Sequence, residues 1–229
     1  MSSQSKVASI VLAAGSGTRF GHDINKVWLP LNGRHIISRS LTNAAANFKD
    51  ARIILVINPD DEEFARNALE VDAMPASIEI VYGGASRHES EFNALQHLKP
   101  AIDAGEIEIV LIHDGARPLA TPELFSAIAS GAAQHGGAIP TIALDPREMD
   151  TAREETVARV QTPQGFRAQP LLAAYEKAAL EGFVGTDTSA CMERFFPELK
   201  ICAVPGDALN FKITYPQDLA IAERLVPIQ

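Results

Sequence analysis

The string Leu12-Ala13-Ala14-Gly15-Ser16-Gly17-Thr18-Arg19-Phe20-Gly21, with Lys26 just beyond it, holds residue types that handle phosphate. Small side chains let backbone N–H groups come close to a ligand, and such groups bind phosphate oxygens well. Arg19 and Lys26 add cations able to reach the same phosphates. The pattern predicts a loop that holds a nucleoside triphosphate. Two named glycine motifs are excluded. A dinucleotide turn ends in Gly or Ala where this chain has Phe20, and no Gly-Lys-Ser/Thr string of a Walker A loop is present. A plain strand-to-helix turn with two incidental cations also fits this string, so the rest of the chain must decide.

Five further polar clusters stand out. Gly83-Gly84-Ala85-Ser86-Arg87-His88-Glu89-Ser90 puts a glycine pair, Ser and Arg at a helix start, suited to ribose, base or phosphate contacts or to a simple cap. His113-Asp114-Gly115-Ala116-Arg117-Pro118 follows an apolar run. A carboxylate there can hold Mg²⁺ or a substrate hydroxyl, and Arg117 can meet a second anion or pair locally with Asp114. His113 reads as structural. Lys212, in Asn210-Phe211-Lys212-Ile213-Thr214, needs an anionic partner or a route to solvent. Gln161-Thr162-Pro163-Gln164-Gly165-Phe166 is a polar turn, and Thr186-Asp187 reads on its own as an N-cap.

The elements that must carry these clusters follow from periodicity. Apolar, β-branched runs at Val7–Leu12, Ile53–Ile57, Ile78–Val81, Ile109–His113, Ala138–Ala143, Ile201–Val204 and Phe211–Thr214 predict strands. Between them, Ile36, Ile37, Ser40, Leu41, Ala44 and Phe48 share a helical face, and Asp60–Leu69 forms a second helix. Ser86-x-x-Glu89 opens a third, and Thr121-Pro122-Glu123 a fourth. Pro170–Glu181, Thr186–Phe196 and Gln217–Leu225 complete the helices. Strands alternating with helices imply a mostly parallel sheet covered on both faces, with ligands at the carboxyl ends of the strands. The charged segment 144–160 interrupts this rhythm and reads as a projecting arm or lid.

The 229 residues suit one domain, 1–229. A net charge of −9 argues against a broad nucleic-acid surface, while leaving room for small anions at local cations. No apolar run approaches the roughly 18 residues of a membrane span. The start of the chain lacks a signal-peptide pattern, and Cys191 and Cys202 are its only cysteines, so a reduced, cytoplasmic setting is expected.

Taken together the clusters resemble the 2-C-methyl-D-erythritol 4-phosphate cytidylyltransferases. The matching strings are 13–19, Asn25-Lys26 with Leu29-Pro30-Leu31, 83–87 with Ser90, 113–118, 161–166, Thr186-Asp187, and Lys212-Ile213-Thr214 with Asp218-Leu219-Ala220. They occur in the family's order and span most of the chain. The resemblance implies a three-layer, Rossmann-like α/β fold of the nucleotide-diphospho-sugar transferase type with a short projecting arm. It implies transfer of CMP from CTP to the sugar-alcohol phosphate with release of pyrophosphate, Mg²⁺ as cofactor, and a homodimer. By resemblance Arg19, Lys26 and Lys212 are catalytic. Ala13, Ala14, Gly15, Ser16, Gly17, Thr18, Gly83, Gly84, Arg87 and Ser90 bind nucleotide. Asp114, Arg117, Thr162, Thr186 and Lys212 bind the acceptor, and Asp114 is the metal candidate. The segment between Ala143 and Gln161 is shorter than the family's arm, Asp150-Thr151-Ala152-Arg153 is the nearest counterpart of its Asp-Thr-x-Lys string, and Arg153 and Arg159 compete for its arginine. The alternatives are a ribitol 5-phosphate or other pentitol-phosphate cytidylyltransferase and a non-catalytic nucleotide-binding regulatory protein.

Overall fold

A computed structural model of the chain describes residues 6–15, 24–144 and 158–227. In order these form β1 (Val7–Leu12), a 3-10 turn (Lys26–Trp28), β2 (Pro30–Leu31), β3 (Arg34–His35), α1 (Ile36–Ala45), β4 (Arg52–Ile57), α2 (Glu62–Val71), β5 (Glu79–Tyr82) and α3 (Arg87–Asp103). There follow β6 (Ile109–Asp114), α4 (Pro122–His135), β7 (Gly136–Ala143), β8 (Ala158–Val160), β9 (Gln164–Arg167), α5 (Ala168–Glu181), α6 (Thr188–Phe195), β10 (Lys200–Pro205) and α7 (Pro216–Leu225).

The main sheet runs β10-β7-β9-β6-β1-β4-β5, with β8 added antiparallel to β7. The ladders β6–β1–β4–β5 are parallel, whereas β9 is antiparallel to both β6 and β7. Alternation along the central strands explains why both faces are dry. Val7, Val11, Ile53, Leu55, Ile57, Ile109 and Leu111 pack with α1, α2 and α4. Their neighbours Ala8, Ile10, Ile54, Val56, Val110 and Ile112 pack with α3, α5 and α6. A strand buried on both faces has to be apolar throughout, which is what the sequence runs signalled.

Local signals set the helix ends. Ser86 and Thr121 cap α3 and α4, and Gly182, at φ 67°, ends α5 in the left-handed region that glycine tolerates. Glu89 reaches back to the N–H of Ala85 rather than Ser86. One expected strand needs correction. Residues Phe211–Thr214 pair in no ladder; they meet the loop after β6 through Ile213 N–H donating to Ala116 O at 2.8 Å. Their apolar side chains pack with Leu31, Ile36 and Ala222 in a small separate cluster, so burial rather than strand pairing accounts for the composition. The segment read as an arm ends in sheet structure, because Ala158–Val160 pairs with Thr141–Ala143. The rest of that segment, 145–157, lies outside the described residues, and with it Arg153 and the Asp150–Arg153 string.

Candidate active site

The loops at the carboxyl ends of β1, β5 and β6 open onto a cleft of about 420 Å³. One wall is made of backbone and small residues. Ala13, Ala14, Gly15, Lys26, Gly84, Ala85, Ser86 and Ser90 line it. Ala13 is fixed from both sides: its N–H donates to Val56 O at 2.7 Å, and its carbonyl accepts from Asn25 Nδ2 at 2.7 Å. Asn25 is buried and also caps the turn that begins at Lys26, so one side chain ties both ends of the 13–25 loop together. Lys26 is half-buried at the cleft edge. Across the cleft, Gly84 N–H donates to Ser90 Oγ at 3.0 Å, and Ser90 Oγ donates to Ser86 O at 2.8 Å. Ser90 thereby shapes the glycine turn from below. A Cβ on Gly83 would fall 2.5 Å from the Ala14 Cβ, so only glycine lets the two loops approach this closely.

The opposite wall is built from charge. Asp114 ends β6 and is 5% exposed. Its Oδ1 pairs with Arg87 Nη1; its Oδ2 lies 3.2 Å from both Arg117 Nε and Lys212 Nζ. Burial alone would raise the Asp114 pKa, but Arg87, Lys212 and Arg117 outweigh it and hold the carboxyl well below the usual range. The Asp114 N–H donates to Thr162 Oγ1 at 3.0 Å. Thr162 Oγ1 lies 3.1 Å from His113 Nδ1, and His113 Nε2 lies 3.1 Å from Arg117 O. A carbonyl can only accept, so Nε2 carries the ring proton, Nδ1 accepts, and the Thr162 hydroxyl donates to it. Burial lowers the His113 pKa to about 4, which keeps the ring in this neutral tautomer. Arg117 Nη1 donates to Asn210 O at 2.8 Å, and Asn210 Nδ2 to Thr162 O at 2.9 Å.

Most of the residues expected from sequence therefore converge. Ala13, Ala14, Gly15, Lys26, Gly84, Arg87, Ser90, Asp114 and Lys212 line the cleft, and Gly83 packs directly behind it. Arg117 and Thr162 stand behind Asp114 and orient it. Thr186 is exposed in the turn before α6 and does not line the cleft, while Asp187 caps that helix. Ser16, Gly17, Thr18 and Arg19 lie outside the described residues. Sequence reasoning missed Asn25 as a clamp and Asn210 as a buried strut. A buried amide has to be hydrogen-bonded, but its partner is not legible in local spacing. For Asp114 as a metal ligand the donor set does not fit. Its oxygens are shared among three cations, and no group of three His, Cys, Asp or Glu suited to a metal occurs among the described residues.

A mostly parallel, doubly covered sheet with a small-residue loop and a cationic cleft over its carboxyl ends defines a nucleotidyltransferase of the nucleotide-diphospho-sugar transferase fold. The IspD family, 2-C-methyl-D-erythritol 4-phosphate cytidylyltransferase, matches residues 7–227. The chain is 38% identical over 229 residues to the enzyme of that name from Cereibacter sphaeroides, covering 96% of this chain and 97% of that one. It is 37% identical over 230 residues to the one from Geobacillus kaustophilus, covering 95% and 96%. The crystal structure of 4-diphosphocytidyl-2C-methyl-D-erythritol synthase from Anaerococcus prevotii superposes with a TM-score of 0.78 at 31% identity, covering 96% of each chain. The Thermus thermophilus cytidylyltransferase superposes at 0.70 and 27%, covering 96% and 98%. The chain belongs to the 2-C-methyl-D-erythritol 4-phosphate cytidylyltransferase family.

Proposed function

We propose that this chain transfers CMP from CTP to 2-C-methyl-D-erythritol 4-phosphate, releasing pyrophosphate, in the non-mevalonate route to isoprenoid precursors. The observation that carries the reading is Asp114, held among Arg87, Arg117 and Lys212 beside the Ala13–Gly15 loop and Lys26, in a chain that matches the family from 7 to 227. In the reaction an oxygen of the acceptor phosphate forms a bond to the α-phosphorus of CTP. The bond from that phosphorus to the bridging oxygen breaks, and pyrophosphate leaves with the electron pair. Such chemistry needs positioning and charge stabilisation more than covalent help. The backbone of the 13–15 loop faces the triphosphate. Lys26, with Arg19, neutralises charge that grows on the phosphoryl oxygens and leaving group. Lys212 and Asp114 hold the acceptor, Lys212 toward its phosphate and Asp114 toward a hydroxyl. Mg²⁺ enters with the triphosphate as part of the substrate, and no step runs through Asp114 as a metal ligand.

We place the enzyme in the cytoplasm as a homodimer. The two free thiols, Cys191 and Cys202, support a reducing compartment. No helix among the described residues is long and apolar enough to cross a membrane. The dimer rests on the resemblance alone, and sedimentation tests it: a monomer at every concentration would refute it. The activity is tested by incubating the protein with CTP, Mg²⁺ and the acceptor. Cytidylylated acceptor and pyrophosphate should appear in equal amounts; CTP binding without either product would favour a regulatory role.

A further inference from the structure

Glu91 sits on α3 one turn beyond Arg87, is 1% exposed, and does not line the cleft. Three elements nonetheless converge on its carboxylate. Tyr175 of α5 donates to Oε2, Thr188 at the start of α6 donates to Oε1 at 3.2 Å, and Arg87 Nε lies 2.9 Å from Oε1. The last contact is charge against charge, because Arg87 Nε is not aligned for a hydrogen bond. The Arg87 guanidinium is thus strung between two buried carboxylates, with Nη1 on Asp114 and Nε toward Glu91. Burial pushes the Glu91 carboxyl's pKa up while Arg87, Tyr175 and Thr188 pull it down, so a charge is held here only at a cost, and an apolar residue would pack more cheaply between the helices.

A guanidinium left to one carboxylate prefers a two-pronged pairing that takes both oxygens. Here Oδ2 of Asp114 already faces Arg117 and Lys212, whereas among the described residues Oδ1 faces only Arg87. We propose that Glu91 is a positioning residue: by drawing Arg87 Nε from behind, it keeps that arginine on Oδ1 and off the already shared Oδ2 of Asp114, so that the carboxylate stays turned to the cleft and able to accept a hydroxyl of the sugar-alcohol phosphate. Tyr175 and Thr188 keep the Glu91 carboxylate turned toward Arg87. This inference rests on the acceptor reading of Asp114 given above.

The test is steady-state kinetics with CTP and acceptor varied separately in Glu91→Gln, Glu91→Asp and Tyr175→Phe, alongside thermal unfolding. Loss of the Glu91 charge should raise the acceptor KM about tenfold, severalfold more than the CTP KM, on which Arg87 as a nucleotide contact also bears. Glu91→Asp keeps the charge and leaves a void, so it should melt lower than Glu91→Gln yet hold the acceptor KM within about threefold of wild type. An unchanged acceptor KM in Glu91→Gln would overturn the proposal, as would KM changes that simply follow melting temperature. If Glu91→Gln does not fold, Tyr175→Phe should raise the acceptor KM about threefold, and no change there would overturn it. Absence of transfer by the wild type would overturn the functional reading itself, which separates the two failures.

Discussion

The two walls of the cleft solve different problems with different materials. The wall formed after β1 and β5 uses main-chain groups and small residues, and its shape is set by short hydrogen bonds such as Gly84 to Ser90. The wall formed after β6 uses ionised side chains drawn from far apart, with Arg117 reaching Asn210 across 93 residues of sequence. Backbone can bind a triphosphate common to many enzymes. Choosing one acceptor needs a particular arrangement of charges and hydroxyls. The difference teaches that the first wall is replaceable piece by piece, while the second acts as a unit, since Asp114 is shared by three cations.

Substitutions that affect one wall and spare the other sharpen this contrast. The largest effect is expected from Asp114→Asn, which leaves Arg87, Arg117 and Lys212 facing a neutral amide. Breaking a buried charge cluster costs about 3–5 kcal/mol, read as a lower denaturant midpoint, and acceptor turnover should collapse while CTP still binds. Loss of CTP binding in that variant would show that the walls are not separable. Next, Lys26→Ala should lower kcat about 10²–10³-fold, with a much smaller change in CTP affinity, because its charge matters most when the phosphoryl group is in flight. If CTP binding failed and kcat survived, Lys26 would belong to ground-state recognition.

His113 gives the acceptor wall a pH signature. Burial lowers its folded pKa from 6.5 to about 4, so on acidification the unfolded chain takes up the proton first. Stability should fall from about pH 6.5 and level off near pH 4, by about 3 kcal/mol in total. His88, also lowered by burial, adds to the slope in the same direction. The Asp114 contribution is lost only at more acid pH, below the usual carboxylate range. Chemical denaturation across this window should show the slope, and His113→Gln should flatten it; an unchanged slope would mean that other groups carry it. The smallest effect is on the first wall. Asn25→Ala frees the Ala13 carbonyl and should weaken CTP binding about tenfold by calorimetry, with the acceptor KM unmoved.

Legibility in the sequence followed the same division. The doubly buried strands were plain because β1, β4 and β6 are apolar at successive positions, and the caps at Ser86 and Thr121 were plain because capping is local. The glycine turn at Gly83-Gly84 declared itself for the same reason. Phe211–Thr214 misled, since apolar residues that fill a small cluster look like a strand when read alone. Asn25, Glu91 and Asn210 were invisible because each owes its role to a partner distant in sequence. Thr186-Asp187 shows how a local signal can be right and incomplete: the cap is there, at Asp187, yet Thr186 stands clear of the cleft.

The central claim is that the charged wall selects the acceptor for a reaction that the backbone wall makes possible. Pyrophosphate release measured with CTP, Mg²⁺ and a panel of acceptors tests it most directly. The account predicts release with 2-C-methyl-D-erythritol 4-phosphate, at a kcat/KM well above that for ribitol 5-phosphate. Release only with pentitol phosphates, or with none of the panel, would contradict it.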